Sequence, residues 1–460
     1  CMAQIERIPV EGRLRSSASG NSHPPKFRSK ARVDKSKDFV CYLDEEDEVD
    51  SPTQLKSNGI SYSFVEVLRS REIGNQRIEK CSFNHEFPTC HLLTYGLFKE
   101  TPITLGRMNK VFSAQWLSDN QVVFGTKCNK LMVYDVIKSH LDQIPSLSTP
   151  GSIDPPNQQC GIHSVKINPS KTLLATGARN SHDVAVYKLP TFDPVCVGEV
   201  NTRTSNEQQS DIIFDIAWLD DMYFVTGSRD NGMALFKVQE PRYMEEDDDG
   251  QFIPRHEHVK PIVYRKCKNA EKVRALVFNP YHEEIAALSL NAYIHVWDAC
   301  TFKQKYSRKL PHTHDNVCFS MKQDGSLYAV GSKSHTTLID PRTLQPVATI
   351  ASRYRECGIR STSFRGNIVT IGASIGILMF YDIRAGGYVE SSMVTGRGGV
   401  VLKATKGWVY PDELYRDVFQ NIEYSPAIYT HCYDETGTRL FAAGGPLPAS
   451  LYGNYAAVWQ

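Results

Sequence analysis

From residue 110 onward, short apolar–polar alternations recur as a set. Seven first strands are recognisable: KVFSAQW (110–116), GIHSVKI (161–167), IIFDIAW (212–218), KVRALVF (272–278), NVCFSMK (316–322), GIRSTSF (358–364) and AIYTHCY (427–433). Each leads through a small-residue turn to a second apolar strand, then to a third: LMVYD, VAVYK, MALFK, IHVWD, TTLID, LMFYD and AAVW. Alternation of this kind marks half-buried strands, and Gly-containing turns between them mark antiparallel pairing. Starts fall about 42 to 69 residues apart. The shorter intervals match the WD-repeat period of about 40–45 residues, and the longer ones imply insertions. The pattern predicts an all-β fold, a seven-bladed WD-repeat propeller over 101–460. Insertions fall at about 138–158, 190–210, 239–270 and 386–424. The third carries the acidic run Glu245 to Asp249, read as a solvated loop, and the fourth predicts a short helix after Pro411.

The last repeat ends at Trp459, leaving its blade without an outer strand. An unpaired edge is a liability, and residues 101–107 (TPITLGR) are placed to cover it. Upstream, 60–71 and 89–98 carry weak helical periodicity, with Pro88 suited to a first helical turn. They predict a helix-loop-helix within a segment spanning 58–100. Residues 1–57 are rich in Ser, Pro, Lys and Arg, with a basic run at 26–37 and an acidic one at 44–50. That composition predicts a disordered tail.

Composition narrows the function by exclusion. Lys plus Arg (52) nearly balance Asp plus Glu (51) in 460 residues, for a net charge of +1. Any electrostatic selectivity is therefore local, and no direct nucleic-acid binding is expected. No apolar run reaches the roughly 18 residues of a membrane span, and Cys1 to Gly20 lack the apolar core of a signal peptide. Twelve cysteines without a Cys-x-x-Cys pair read as reduced thiols of an intracellular protein, and zinc-ligand spacing is missing. No metal or cofactor is expected. There is no phosphate-binding Gly-Lys-Ser/Thr loop and no Gly-x-Ser-x-Gly elbow, and His282-Glu283-Glu284 lacks the second His of a zincin. The chain is not expected to be an enzyme.

The repeat register picks out one set of side chains instead. At the start of the first strand the units carry Phe112, His163, Phe214, Arg274, Cys318, Arg360 and Tyr429, with Lys110 and Lys272 just ahead of two strands. At the turn between second and third strands they carry Lys127, Arg179, Arg229, Leu290, Lys333, Ser374 and Pro446. Both positions lie at one end of a propeller, beside its channel. The set is basic and aromatic and contains no carboxylate, which suits capture of an acidic group by charge-assisted bonds.

Two consecutive third strands end in Ile339-Asp340-Pro341-Arg342 and Tyr381-Asp382-Ile383-Arg384, versions of a Trp-Asp-x-Arg box. Such a pair resembles the substrate receptors of cullin-4 RING ubiquitin ligases, which dock on the adaptor called damage-specific DNA-binding protein 1. Within them, the chain is similar to the family of the damage-binding-protein-1- and cullin-4-associated factor 12. The likeness covers about 60–460 and includes MNKVFSAQWL (108–117), VVFGTKCNKL (122–131), CGIHSVKINPSKTLLATGA (160–178), LPTFDPVCVG (189–198), GSRDNGM (227–233), YTHCYDETGTRLFAAGGPLP (429–448) and GNYAAVW (453–459). The resemblance implies a non-catalytic receptor of the cytoplasm and nucleus that reads protein C-termini ending in two glutamates. It implies substrate contacts from Lys110, Lys127, Arg229, Lys272, Arg274 and Arg360; His163, Arg179 and Lys333 join on the repeat alignment alone. It places adaptor contacts on the helical segments, at Phe64, Leu68, Leu93 and Leu97, with Asp340, Arg342, Asp382 and Arg384 in support. The alternative is a WD-repeat scaffold that binds acidic or phosphorylated peptides with no ubiquitin link.

Overall fold

The computed structural model describes residues 39–41, 86–147, 161–200, 212–239, 244–246, 252–254, 256–355, 357–392, 399–413, 415–419 and 424–460. Among them are seven sheets with the strand order of propeller blades, antiparallel throughout except where Glu257–Val259 adds in parallel to the outer edge of the second. The innermost strands are Val111–Trp116, Val165–Ile167, Ile213–Trp218, Val273–Asn279, Cys318–Met321, Ile359–Arg365 and Ala427–Tyr433. Each lies within a residue or two of its expected place except the second, whose pairing begins only at Val165. Apolar faces of successive blades interlock. Between the last blade and the first, Phe124 stacks on Phe441 at 5.8 Å among Ile103, Val111, Met132 and Val458, all buried.

The ring closes through its N-terminal side. Glu100–Pro102 runs antiparallel to Gly453–Trp459, with Glu100 opposite Trp459 and Pro102 opposite Ala457. Ile103 N donates to Ala456 O at 2.8 Å, extending the pairing by one residue. The expected closing strand is thus present but shorter than the expected 101–107, starting one residue earlier and ending its pairing at Ile103. The fourth insertion also stitches: Val401–Lys403 pairs with the third strand of blade 6, and Trp408–Val409 with that of blade 7. The helix expected after Pro411 is a single wide turn at Tyr415–Phe419, where Asp412 Oδ1 accepts Tyr415 N at 2.8 Å.

Three expectations change. Phe39–Cys41, inside the stretch read as disordered, forms an edge strand against Tyr306–Arg308 of blade 4; its three apolar residues sit within an otherwise polar tail. Glu245 and Glu246, read as loop, lie on a strand of a small hairpin pairing Met244–Glu246 with Phe252–Pro254. The second helical segment is the helix Glu86–Thr94, starting two residues before Pro88. The first, with Phe64 and Leu68, lies outside the described residues.

Hairpin turns of blades 6 and 7 receive the helix. Gly366 and Gly437 have φ of 58° and 75°, and a Cβ on either would come within 2.6 Å of Glu86 Oε2 or 2.5 Å of Thr89 Oγ1. Glycine is required on both counts. Thr89 Oγ1 donates to Gly437 O at 2.7 Å, Asn367 donates to Glu86 Oε2 through N and Nδ2, and Leu93 enters the apolar core.

Candidate functional site

The seven first-strand positions meet. Phe112, His163, Phe214, Arg274, Cys318, Arg360 and Tyr429 all line one cavity of about 410 Å³ on the propeller axis. Local backbone explains why. In five blades the register of the first two strands slips across that residue: between Val111 and Ser113, Ile213 and Asp215, Val273 and Ala275, Ile359 and Ser361, and Ile428 and Thr430. Phe112, Phe214, Arg274, Arg360 and Tyr429 are the extra residues of β-bulges. A bulge leaves its residue outside the ladder and re-aims the side chain.

Around the cavity the side chains form an ordered circuit. Tyr429 meets Phe112 edge-on at 5.6 Å, Phe112 stacks on His163 at 4.7 Å, and His163 meets Phe214 edge-on at 5.2 Å. The Arg274 guanidinium covers the Phe214 ring at 4.6 Å. Arg360 completes the basic side. Aromatic rings thus line one arc of the wall and two guanidinium groups the other.

Several of these groups lack acceptors. Arg360 Nε and His163 Nδ1 are buried with no hydrogen-bond partner among the described residues. Arg274 has its aromatic partner, and no hydrogen bond or ion pair of its side chain occurs among them. Burial pushes the Arg274 pKa down, Asp215 opposes that shift, and Arg360 adds to it. Burial, then Arg274 and Lys127, hold His163 down to about 3, so it is a neutral imidazole at neutral pH. Buried polar groups without partners are rare in native proteins and call for an explanation.

One carboxylate does reach the cavity, where a basic and aromatic set without carboxylates was expected. Asp215 follows Phe214 and is internally engaged: Oδ1 accepts Ser164 Oγ at 2.7 Å and Ile216 N at 2.9 Å, and Oδ2 accepts Leu276 N at 2.8 Å. It ties three inner strands together rather than filling Arg274. Counting only the repeat-equivalent positions missed it, because it stands one residue on.

The turn positions form a rim, not the wall. Lys127 N donates to Lys110 O, Arg229 N to Ile212 O, Leu290 N to Lys272 O and Ser374 N to Gly358 O. Each acceptor stands two residues ahead of a cavity residue, so in these four blades one backbone bond sets the turn beside the opening. Lys333 and Arg179 depart from this pattern, bonding to His314 O and Leu147 O. Lys127, Arg179, Arg229, Lys272 and Lys333 are absent from the cavity lining. Arg179, Arg229 and Lys333 are exposed, and Lys127 and Lys272 half-buried.

Lys110 is buried, and its ammonium is turned away from the cavity. Nζ donates to Pro448 O at 2.7 Å, Leu451 O at 2.8 Å and Ala449 O at 3.4 Å. Lys127 Nζ adds a bond to Ala449 O at 2.8 Å. Two lysines of the expected binding set thus clamp the loop 446–452, whose Leu447 O accepts Tyr429 Oη at 3.4 Å. Burial, then Lys127, lower the Lys110 pKa to about 7.

Around the helix Glu86–Thr94, Leu93 points inward while Leu97 is 46% exposed. Phe87, His91 and Tyr95 form an exposed ring ladder, with centroids 6.2 and 4.6 Å apart. Its i, i+4 spacing is a sequence signal that the apolar periodicity alone did not reveal. Arg384 Nη2 reaches Glu86 Oε1 at 3.1 Å and Asp382 Oδ2 at 3.7 Å. Arg342 pairs only loosely with Asp340, at 3.5 Å, and its side chain is 75% exposed. No cluster of metal-ligating side chains occurs among the described residues.

With this geometry in place, the comparison with known families is specific: the family described as DDB1- and CUL4-associated factor 12 beta propeller matches residues 95–460.

Proposed function

The chain belongs to the DDB1- and CUL4-associated factor 12 propeller family, and from that premise we propose that it is a non-catalytic substrate receptor of a cullin-4 RING ubiquitin ligase, holding acidic protein C-termini in its axial cavity. The observation that carries the ligand class is the pair of guanidinium groups on one wall whose hydrogen-bonding capacity is largely unmet. Among the described residues Arg360 Nε has no acceptor, and the Arg274 guanidinium covers the Phe214 ring with no side-chain hydrogen bond or ion pair of its own. Two desolvated guanidinium groups repel each other, and a ligand bringing several carboxylate oxygens removes both the repulsion and the missing bonds. A chain end in two glutamates supplies three carboxylates in a small volume.

The aromatic arc favours the same class. Rings at Phe112, Phe214 and Tyr429 give the methylene stems of glutamate an apolar seat while the carboxylates face the arginines. The rim cations Lys127, Arg229 and Lys272 raise the local concentration of an acidic segment outside the opening. Docking on the adaptor would use the ladder Phe87–His91–Tyr95 with Leu97, and the exposed Arg342 of blade 5.

Affinities of three peptides test this reading: one ending in Glu-Glu, one in Glu-Glu-amide and one in Lys-Lys. The first is expected to bind tightest and the third not at all. Equal binding of the first two would sink the free-carboxylate requirement. Replacing Arg274 and Arg229 together by Glu is expected to abolish capture of the first peptide, and unchanged affinity in that variant would place the site elsewhere. Copurification with the adaptor and cullin-4 separates a ligase receptor from a scaffold.

A further inference from the structure

Arg360 already meets a carboxylate. Its Nη2 lies 3.6 Å from Asp315 Oδ2, with the arginine side chain 19% exposed and the aspartate 49% exposed. Asp315 is not a cavity-lining residue. It stands in the connection between Gln304–Lys309 of blade 4 and Cys318–Met321 of blade 5, and approaches the guanidinium from the more exposed side. The connection is pinned around it. Lys333 N donates to His314 O at 2.9 Å, Asn316 Nδ2 donates to His312 O at 2.9 Å, and the His312 ring stacks on His335 at 4.0 Å. Asp315 itself has φ of 58°, a left-handed conformation that aspartate tolerates better than most residues.

We infer that Asp315 is an internal stand-in for the ligand's carboxylate, holding Arg360 until an acidic chain end displaces it. The inference rests on the acidic-terminus reading above. At 3.6 Å the contact exceeds hydrogen-bond range and Arg360 Nε has no acceptor among the described residues, so it is a weak, displaceable pair. A ligand carboxylate that engages the guanidinium from the cavity takes the place of Asp315. The consequence is a threshold. Every protein ends in one carboxylate, and two guanidinium groups with no internal competitor would retain a large population of unrelated chain ends. Making each ligand displace Asp315 lowers all such affinities together. Only ends that also engage Arg274 and the rim then reach useful occupancy.

The test is a double-mutant cycle in the full chain, read as the affinity of the Glu-Glu peptide, with the Lys-Lys peptide as control. Asp315→Asn is expected to tighten Glu-Glu binding roughly two- to fivefold, the range of a half-exposed ion pair. In an Arg360→Gln background the same substitution should bring no gain. Asp315→Ser should repeat the result, separating loss of charge from loop shape. A gain that persists without Arg360 would show general repulsion of acidic ligands and overturn the stand-in role. Weaker binding in Asp315→Asn would show that Asp315 positions Arg360, and would also overturn it. If the unaltered chain binds Glu-Glu and Lys-Lys peptides alike, the acidic-terminus reading fails first and this inference falls with it.

Discussion

Arg384 and Glu86 lie 3.1 Å apart, joining the third-strand end of blade 6 to the first residue of the N-terminal helix. Arg384 belongs to a Trp-Asp-x-Arg box and was expected to face a partner, yet its guanidinium braces the molecule's own helix. Glu86 is buried while the Arg384 side chain is 63% exposed, so the pair is worth about 1 kcal/mol.

Arg384→Ala should therefore lower the urea midpoint slightly and loosen the helix. Hydrogen exchange of residues 86–94 should accelerate while exchange of the inner strands holds. Arg342→Ala, at the equivalent box, is expected to leave both unchanged. Helix protection that survives Arg384→Ala would show that the ion pair does not brace the helix.

Lys110→Met removes the donor that three carbonyls of the loop 446–452 share. The methionine fills similar space but leaves buried acceptors unmatched. Unfolding in urea should show a loss of roughly 2–4 kcal/mol. A loss below about 0.5 kcal/mol would mean the loop is held by other contacts.

Three imidazoles make the propeller acid-sensitive. Burial holds His163 and His295 down to about 3 and His431 to about 4, from an ordinary 6.5. His431 bridges Ser361 and Ser363, and His295 bridges Ser307 and Ser289. Between those values and 6.5 the unfolded chain binds protons that the folded chain refuses. The contribution of these three groups should then be level above pH 6.5 and fall as pH drops toward 4, by up to about 1.4 kcal/mol per pH unit for each group. Urea midpoints at pH 7, 6 and 5 check the sign, and His295→Gln should flatten the slope. A pH-independent midpoint over that range would contradict the neutral assignment.

How far the sequence reached depends on which link carried the information. Repeat register placed seven residues from Phe112 to Tyr429 on one wall because blade-equivalent positions are geometrically equivalent. It could not tell that Lys110, two residues ahead of Phe112, turns its ammonium onto carbonyls of another loop, since that direction is set by contacts distant in sequence. Asp215 and Asp315 lay outside the equivalent positions, and both proved to face the arginines or their neighbours. The bulges that aim Phe112, Phe214, Arg274, Arg360 and Tyr429 leave no mark in apolar alternation. The closing strand was readable because a final blade ending at Trp459 has an unmet edge. The strand Phe39–Cys41 was not, because three apolar residues are too few to stand out from a polar tail.

The helix Glu86–Thr94 runs directly into the closing strand Glu100–Pro102, and Lys99 exchanges two backbone bonds with Gln460, at 3.0 and 3.2 Å. Handle and latch are therefore one piece of chain. A deletion that trims the exposed ladder Phe87–His91–Tyr95 also frees the strand that keeps the ring shut, so truncation confounds lost docking with an opened propeller. Point changes at Phe87 or Tyr95, which leave the latch in place, are the cuts that separate the two.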